Sequence, residues 1–236
     1  MKPINQDLVG GYKMKMKSKN MTFMLYLTAV FGMLYMVVSG TAVAGTITGS
    51  VHDFSGKAYT GGQICVTCHT PHGSDTSVVE APLWNHGVTT KSFTVYSSLT
   101  LNATVGQPDG VSKLCLSCHD GTIGIDNFGR FPTNNDRLTG AKAIGADELN
   151  NDHPISFTFD TALATADGAL FDPATTTTTI GSGSKTRTGT ISEVMLSGGK
   201  VQCSSCHDVH NNFTATTRLL KITDAGSQIC LTCHNK

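Results

Sequence analysis

Cys65-Val66-Thr67-Cys68-His69, Cys115-Leu116-Ser117-Cys118-His119, Cys203-Ser204-Ser205-Cys206-His207 and Cys230-Leu231-Thr232-Cys233-His234 are four copies of one pentapeptide, Cys-x-x-Cys-His. The chain has 8 cysteines, and all of them lie in these units. A Cys-x-x-Cys pair followed directly by His is the attachment signature of c-type haem. The two thiols form thioethers to the porphyrin, and the neighbouring imidazole becomes an axial iron ligand. The reading is therefore four covalently bound haem c groups. The proximal iron ligands are His69, His119, His207 and His234.

Other uses of cysteine explain less. A zinc site of four thiolates leaves unexplained why His follows the second Cys in every unit. A disulfide framework leaves the same four histidines without a role. A thioredoxin-like pair needs one motif near a βαβ pattern, not four scattered ones.

The amino-terminal residues read as a leader. Lys2, Lys13, Lys15, Lys17 and Lys19 precede an apolar run from Met21 to Val38, and Ala42-Val43-Ala44 supplies an A-x-A site. That is a secretory signal peptide over 1–44, with 45–236 as the haem-binding domain. The alternative is an uncleaved anchor, since about 18 apolar residues can just span a bilayer. Export suits c-type haem, which is attached outside the cytoplasm.

Gly45–Lys236 is 192 of the 236 residues, a small amount of protein for four large apolar rings. The expected fold is mostly irregular coil with short helices and a few short strands, wrapped around a stacked chain of four haems that form the core themselves. Without the leader, Lys and Arg fall from 17 to 12 and Asp and Glu from 17 to 16, a net charge of −4. An acidic chain excludes nucleic acid as a partner and offers no basic patch to lipid.

Along the chain, 110–120 reads as a short helix carrying the second unit, and 89–102 reads weakly as a strand. Residues 120–202 form a stretch of 83 without cysteine. Its threonine-rich runs, Thr175–Thr179 and Thr186 to Thr190, flank Gly181-Ser182-Gly183-Ser184. They read either as a surface hairpin or as a low-complexity loop. Every unit has Ser or Thr before its second Cys.

The sixth iron ligand separates electron transfer from substrate chemistry. Of 8 methionines only Met195 lies beyond the leader, so methionine ligation is nearly excluded. Nine histidines less four proximal ones leave His52, His72, His86, His153 and His210 for four irons. His72 and His210 each follow a proximal His by three residues. That link is too short to pass around the porphyrin, so each serves a different iron. His153 stands between Asp152, a candidate acceptor for its ring N–H, and Pro154. His52 and His86 rank below these three, and any one of the five could instead be a surface or packing histidine. All-histidine ligation favours lower potentials, because Met/His ligation raises them.

Several stretches resemble a known family: Ile64 to Gly73, Ala81-Pro82-Leu83-Trp84-Asn85, Leu114 to Gly121, Asp152-His153-Pro154, Val201 to His210 and Leu219 to Lys236. They are similar to the extracellular tetrahaem cytochromes of the OmcE type, which polymerise into nanowires. The resemblance implies four bis-histidine haems with distal ligands His52, His72, His153 and His210, and His86 outside the ligand set. It implies head-to-tail stacking in which His72 reaches a haem of the neighbouring subunit. The expected protein is secreted through the periplasm to the cell surface. Its expected partners are further copies of itself, extracellular electron acceptors and other multihaem cytochromes. No catalytic residue is expected. The alternatives are a soluble periplasmic electron carrier and a membrane-anchored tetrahaem quinol dehydrogenase; an enzyme with one open haem is a third.

Overall fold

Val111-Ser112-Lys113-Leu114-Cys115-Leu116-Ser117 places small and apolar residues on adjacent turns, and it forms the longest helix among the described residues, α1, Gly110–His119. The computed structural model describes residues 47–130, 132–144, 148–213 and 218–236. The 1–44 leader lies outside them. Among the described residues no helix is long and apolar enough to cross a membrane. Helices, strands and single turns are short and separated by coil, as the sequence led us to expect.

α1 is buried on two sides. Leu114 packs against Val78 and Trp84, and Leu116, fully buried, packs against Phe93 and Leu149. Its amino end is capped from far away in sequence. Gln202 Oε1 accepts from the Ser112 amide at 3.1 Å and from Ser156 Oγ at 3.2 Å. Gln202 Nε2 donates to Asp109 at 3.0 Å, and Lys200 pairs with the same carboxylate. The Cys203 amide donates to Ser112 Oγ at 2.9 Å. This buried network fixes the second cysteine unit against the third.

The cysteine-free stretch builds a core of its own. β1 (Phe157–Thr158) pairs antiparallel with β4 (Lys200–Val201). Between them lie α2 (Thr161–Asp167), whose first turn is capped by Asp160 Oδ1 accepting from Leu163 N at 2.8 Å, and a hairpin. The hairpin joins β2 (Thr177–Ser182) to β3 (Lys185–Thr190) around Gly183-Ser184. The threonine-rich runs are thus a hairpin and not a loop. α3 (Ile191–Val194) follows at once. It is started by a capping box in which Thr190 Oγ1 accepts from Glu193 N and Glu193 Oε2 accepts from Thr190 N. Ile180 and Ile191 seat hairpin and helix in a cluster with Phe157, Phe159, Val194, Met195 and Ile222. Burying two such isoleucines contributes about 2 kcal/mol each.

Two expectations change. Among the described residues the chain also packs three apolar clusters of its own, the largest drawn mostly from the long interval between the second and third units. Residues 89–102 are not a strand. Gln107 holds both main-chain groups of Phe93, accepting from its N–H and donating to its carbonyl at 2.8 Å each, and a Glu148 carboxylate oxygen accepts from Thr94 N. Side chains have taken the bonds that a partner strand would supply. Only Val95 keeps a β-bridge, to Leu149.

Replacing Gln202 by Leu keeps the volume but strips partners from the Ser112 amide and the Asp109 carboxylate. We expect a loss of about 2 kcal/mol, seen as a lower melting midpoint of the haem-loaded protein. An unchanged midpoint would show that the network does not hold the two units together.

Candidate haem-attachment sites

Each pentapeptide makes one helical turn. The His69, His207 and His234 amides donate to the first cysteine's carbonyl at 2.8, 3.0 and 2.9 Å, and the second unit ends α1. Such a turn puts cysteines three residues apart on one face, as two thioethers on one porphyrin edge require. The hydroxyl before the second cysteine braces the turn. Ser117 and Thr232 donate to carbonyls four residues back, and Ser205 Oγ accepts from the Gln202 amide. Thr67 Oγ1 is buried with no hydrogen-bond partner.

Three of the four units then enter the same local pairing. His69 bridges Trp84, His207 bridges Leu220 and His234 bridges Leu170. In each, the residue after the histidine donates to the carbonyl preceding the bridge partner: Thr70 to Leu83, Asp208 to Leu219, Asn235 to Ala169. In each, the residue after the bridge partner donates to the second cysteine: Asn85 to Cys68, Lys221 to Cys206, Phe171 to Cys233. Leu83 and Leu219 hold equivalent positions, and both adopt left-handed backbone, φ 52° and 58°. Leucine takes that conformation at a cost of about 1–2 kcal/mol, so the pairing imposes it.

The pairing aims a carbonyl at the imidazole. His69 Nδ1 meets Pro82 O at 2.6 Å and His207 Nδ1 meets Arg218 O at 3.0 Å, each two residues before the bridge partner. His119 Nδ1 meets Lys142 O at 2.7 Å. A carbonyl only accepts, so Nδ1 carries the proton and Nε2 keeps its lone pair for a metal. Sequence reading missed these three acceptors. The signal was an x–Leu/Ala–large apolar run after each of the first three motifs: Pro82-Leu83-Trp84, Lys142-Ala143-Ile144 and Arg218-Leu219-Leu220.

The spare histidines are not scattered. His52 faces His119 with ring centroids 6.1 Å apart and planes at 56°. His210 faces His69 at 6.0 Å and 22°. His153 faces His234 at 6.4 Å and 77°. His210 therefore sits opposite the histidine of another unit, not its own. His153 Nδ1 meets Pro154 O at 2.9 Å, so the carbonyl of Pro154, not the Asp152 carboxylate, takes the role expected of a second-sphere acceptor. All nine histidines lie among the described residues, and within these His207 has no imidazole facing it. His72 is exposed, and its ring makes neither a hydrogen bond nor a ring contact.

His86 differs from the rest. It is 2% exposed, its Nδ1 lies 2.8 Å from Gly87 O and its Nε2 lies 2.8 Å from Gly124 O. A main-chain carbonyl faces each nitrogen, and the ring packs against Trp84 and the Cys118 sulfur. Met195 is 3% exposed inside the largest apolar cluster.

Do these residues fit haem c? Two imidazoles bound through Nε2 on opposite sides of one iron, at about 2 Å each, have ring centroids roughly 6 Å apart. Three pairs have that separation. The buried Nδ1 of His52 lacks a hydrogen-bond partner, unlike the Nδ1 atoms of His69, His119 and His207. Burial lowers the His52 imidazole to about 4, with the charges of His119, His207 and His210 acting in the same sense, and burial also lowers His234. Neutral imidazole is the ligating form. Among the described residues, which include every cysteine, there is no disulfide, and no three Cys, His, Asp or Glu side chains converge as a bare-metal site. Burial pushes the thiols of Cys68, Cys118 and Cys233 up, to about 11, 12 and 12. The Cys115 thiol hydrogen-bonds Cys203, which raises Cys115 and lowers Cys203 to about 7. That contact places the attachment edges of the second and third units side by side. An open cleft of about 360 Å³ lies beside the fourth unit, between Leu231, Thr232 and the hairpin residues Thr177 and Thr178. The residues fit the group.

The family described as Doubled CXXCH motif matches residues 196–236, the stretch that holds the third and fourth units. No curated protein matches the chain. The match indicates covalently bound haem c at these two units and supports a multihaem c-type cytochrome kind with an electron-carrying role.

Substituting His86 by Leu should lower the melting midpoint, because the Gly87 and Gly124 carbonyls lose their partner, at about 1–3 kcal/mol. Haem content measured as the pyridine haemochrome, and the low-spin optical spectrum, should not change. A new high-spin band would make His86 an iron ligand.

Proposed function

We propose that this chain is a secreted tetrahaem cytochrome that passes electrons along closely spaced bis-histidine haems and assembles head to tail into an extracellular filament. The observation that carries the proposal is an imbalance. Three proximal histidines, His69, His119 and His234, face His210, His52 and His153 at 6.0–6.4 Å. His207 faces none, and His72 stands exposed with an unengaged ring. One vacant partner position and one spare imidazole in every copy satisfy each other between two copies.

Bound haem supplies a one-electron iron couple, and histidine on both sides leaves no position for substrate. The residues of the chain do the remaining work. Cys65 and Cys68, Cys115 and Cys118, Cys203 and Cys206, and Cys230 and Cys233 attach the four groups. The main-chain carbonyls of Pro82, Lys142 and Arg218 hold three proximal rings in the ligating tautomer. α1 and the Gln202 network hold the second and third units together, which keeps the electron path short.

A contact through which His72 of one copy meets the His207 unit of the next is heterologous. Such a contact, repeated without closing, gives a filament. The basic and apolar run of 1–44 and its A-x-A site support a secretory leader and a route through the periplasm. The acceptors that suit an exported low-potential carrier are extracellular oxidants and other multihaem cytochromes. A soluble periplasmic carrier is the second reading; the same three pairs favour it, and it leaves His72 without a purpose.

The test is electron microscopy of sheared extracellular material from cells producing wild type or His72→Ala. Wild type should form haem-staining filaments. His72→Ala should remain a soluble, haem-loaded monomer. Filaments of the variant would overturn the proposal.

A further inference from the structure

We infer that a free subunit carries one iron open to small exogenous ligands, at the His207 unit, and that such ligands compete with His72 of a second copy for the same position. The inference rests on the bis-histidine reading above and extends it to what an unassembled chain can bind.

Among the described residues the other histidines, the cysteines, Met195 and Lys221 are placed elsewhere or otherwise bonded. His52, His153 and His210 are committed opposite His119, His234 and His69. His86 has a carbonyl within 2.8 Å of each ring nitrogen. Met195 is enclosed among Phe157, Phe159 and Ile191. The cysteines are used as attachment points. Lys221, the lysine next to this unit in the fold, donates its amide to the Cys206 carbonyl and its Nζ to Val194 O at 3.3 Å. His72 is exposed, and among the described residues its ring has no contact with that of His207. His207 itself is ready for iron: its Nδ1 proton is given to Arg218 O, and its ring is exposed. An iron held there has one strong protein ligand and one free axial position.

The class of ligand follows from that chemistry. Ferrous iron with one axial imidazole takes a neutral π-acceptor such as carbon monoxide. Ferric iron in the same setting takes free imidazole, the side-chain group that His72 offers. Binding is simple association, with no electron transferred and at most a water displaced. Assembly is then controlled by coordination. A ligand that occupies the free position stabilises the monomer by mass action, and filament ends are the places in an assembly where it binds.

The experiment uses the full-length, haem-loaded protein. Dithionite-reduced His72→Ala should take up about one equivalent of carbon monoxide per chain, read from the optical difference spectrum. The double variant His72→Ala/His52→Ala should take up about two, which shows that uptake reports vacant positions. Assembled wild type should take up at least about tenfold less per chain than His72→Ala, since only ends are open. Millimolar imidazole should slow wild-type assembly in light scattering. A His72→Ala monomer that takes up no carbon monoxide overturns the inference. A wild type that stays monomeric yet takes up one equivalent keeps the inference and removes the filament, so the two failures are distinguishable. A wild-type monomer that takes up none removes both.

Discussion

The hydrogen bond from an imidazole Nδ1–H to a main-chain carbonyl is the constraint on which this molecule depends. It appears at His69, His119 and His207 with acceptors from three different parts of the chain. Its net worth in stability is small, about 1 kcal/mol each. Its worth in geometry is larger, since it fixes the tautomer and the ring plane before any metal arrives. Outer partners of metal-bound histidines typically change affinity about 10–100-fold when lost. At His69 and His207 the bond comes with a β-bridge, to Trp84 and Leu220, and with left-handed leucines at 83 and 219. Strain there is tolerated because the bridge bonds on either side leave the chain no alternative.

The scarcity of regular structure has a related cause. A sheet or a long helix satisfies its main-chain groups within itself and presents a continuous face. Four large planar groups would interrupt any such face. The chain instead satisfies backbone groups piecemeal with side-chain amides, as Gln107 does at Phe93 and Gln202 does at Ser112. Among the described residues strand ladders appear only between the second and third cysteine units, in the hairpin of β2 and β3 and in the short β1–β4 ladder. The same interval supplies most of the largest apolar cluster, so regular pairing and attachment units are separated along the chain, while Leu116 of the second unit is itself core.

That separation explains what was legible in the sequence. The cysteine units are local motifs with fixed chemistry, so spacing alone identified them and their proximal histidines. The α1 helix and the threonine-rich hairpin carry local signals too, a buried pattern in one and β-branched runs around Gly183-Ser184 in the other. The apparent strand at 89–102 failed for a non-local reason: its hydrogen bonds go to Gln107 and Glu148, and nothing in its alternation reveals that. Pairings between distant residues were equally hidden. That His210 faces His69, or that Pro82 rather than a carboxylate receives a ring proton, depends on how remote segments return. His86 was ambiguous for the same reason, since its two carbonyl partners come from Gly87 and from Gly124, 38 residues onward.

The histidines that remain connect this architecture to assembly. A chain that needed only to hold four irons could place a fourth distal histidine internally, since it already does so three times. Here one proximal ring, His207, is prepared like the others, with its proton on Arg218 O, and lacks a facing imidazole. His72 meanwhile sits three residues past a proximal histidine, the same spacing that lets His210 serve another unit. The spacing prevents such a histidine from serving its own iron, so it always joins two units. At His210 the second unit lies in the same chain. His72 has the same spacing, and among the described residues its exposed ring faces no other histidine.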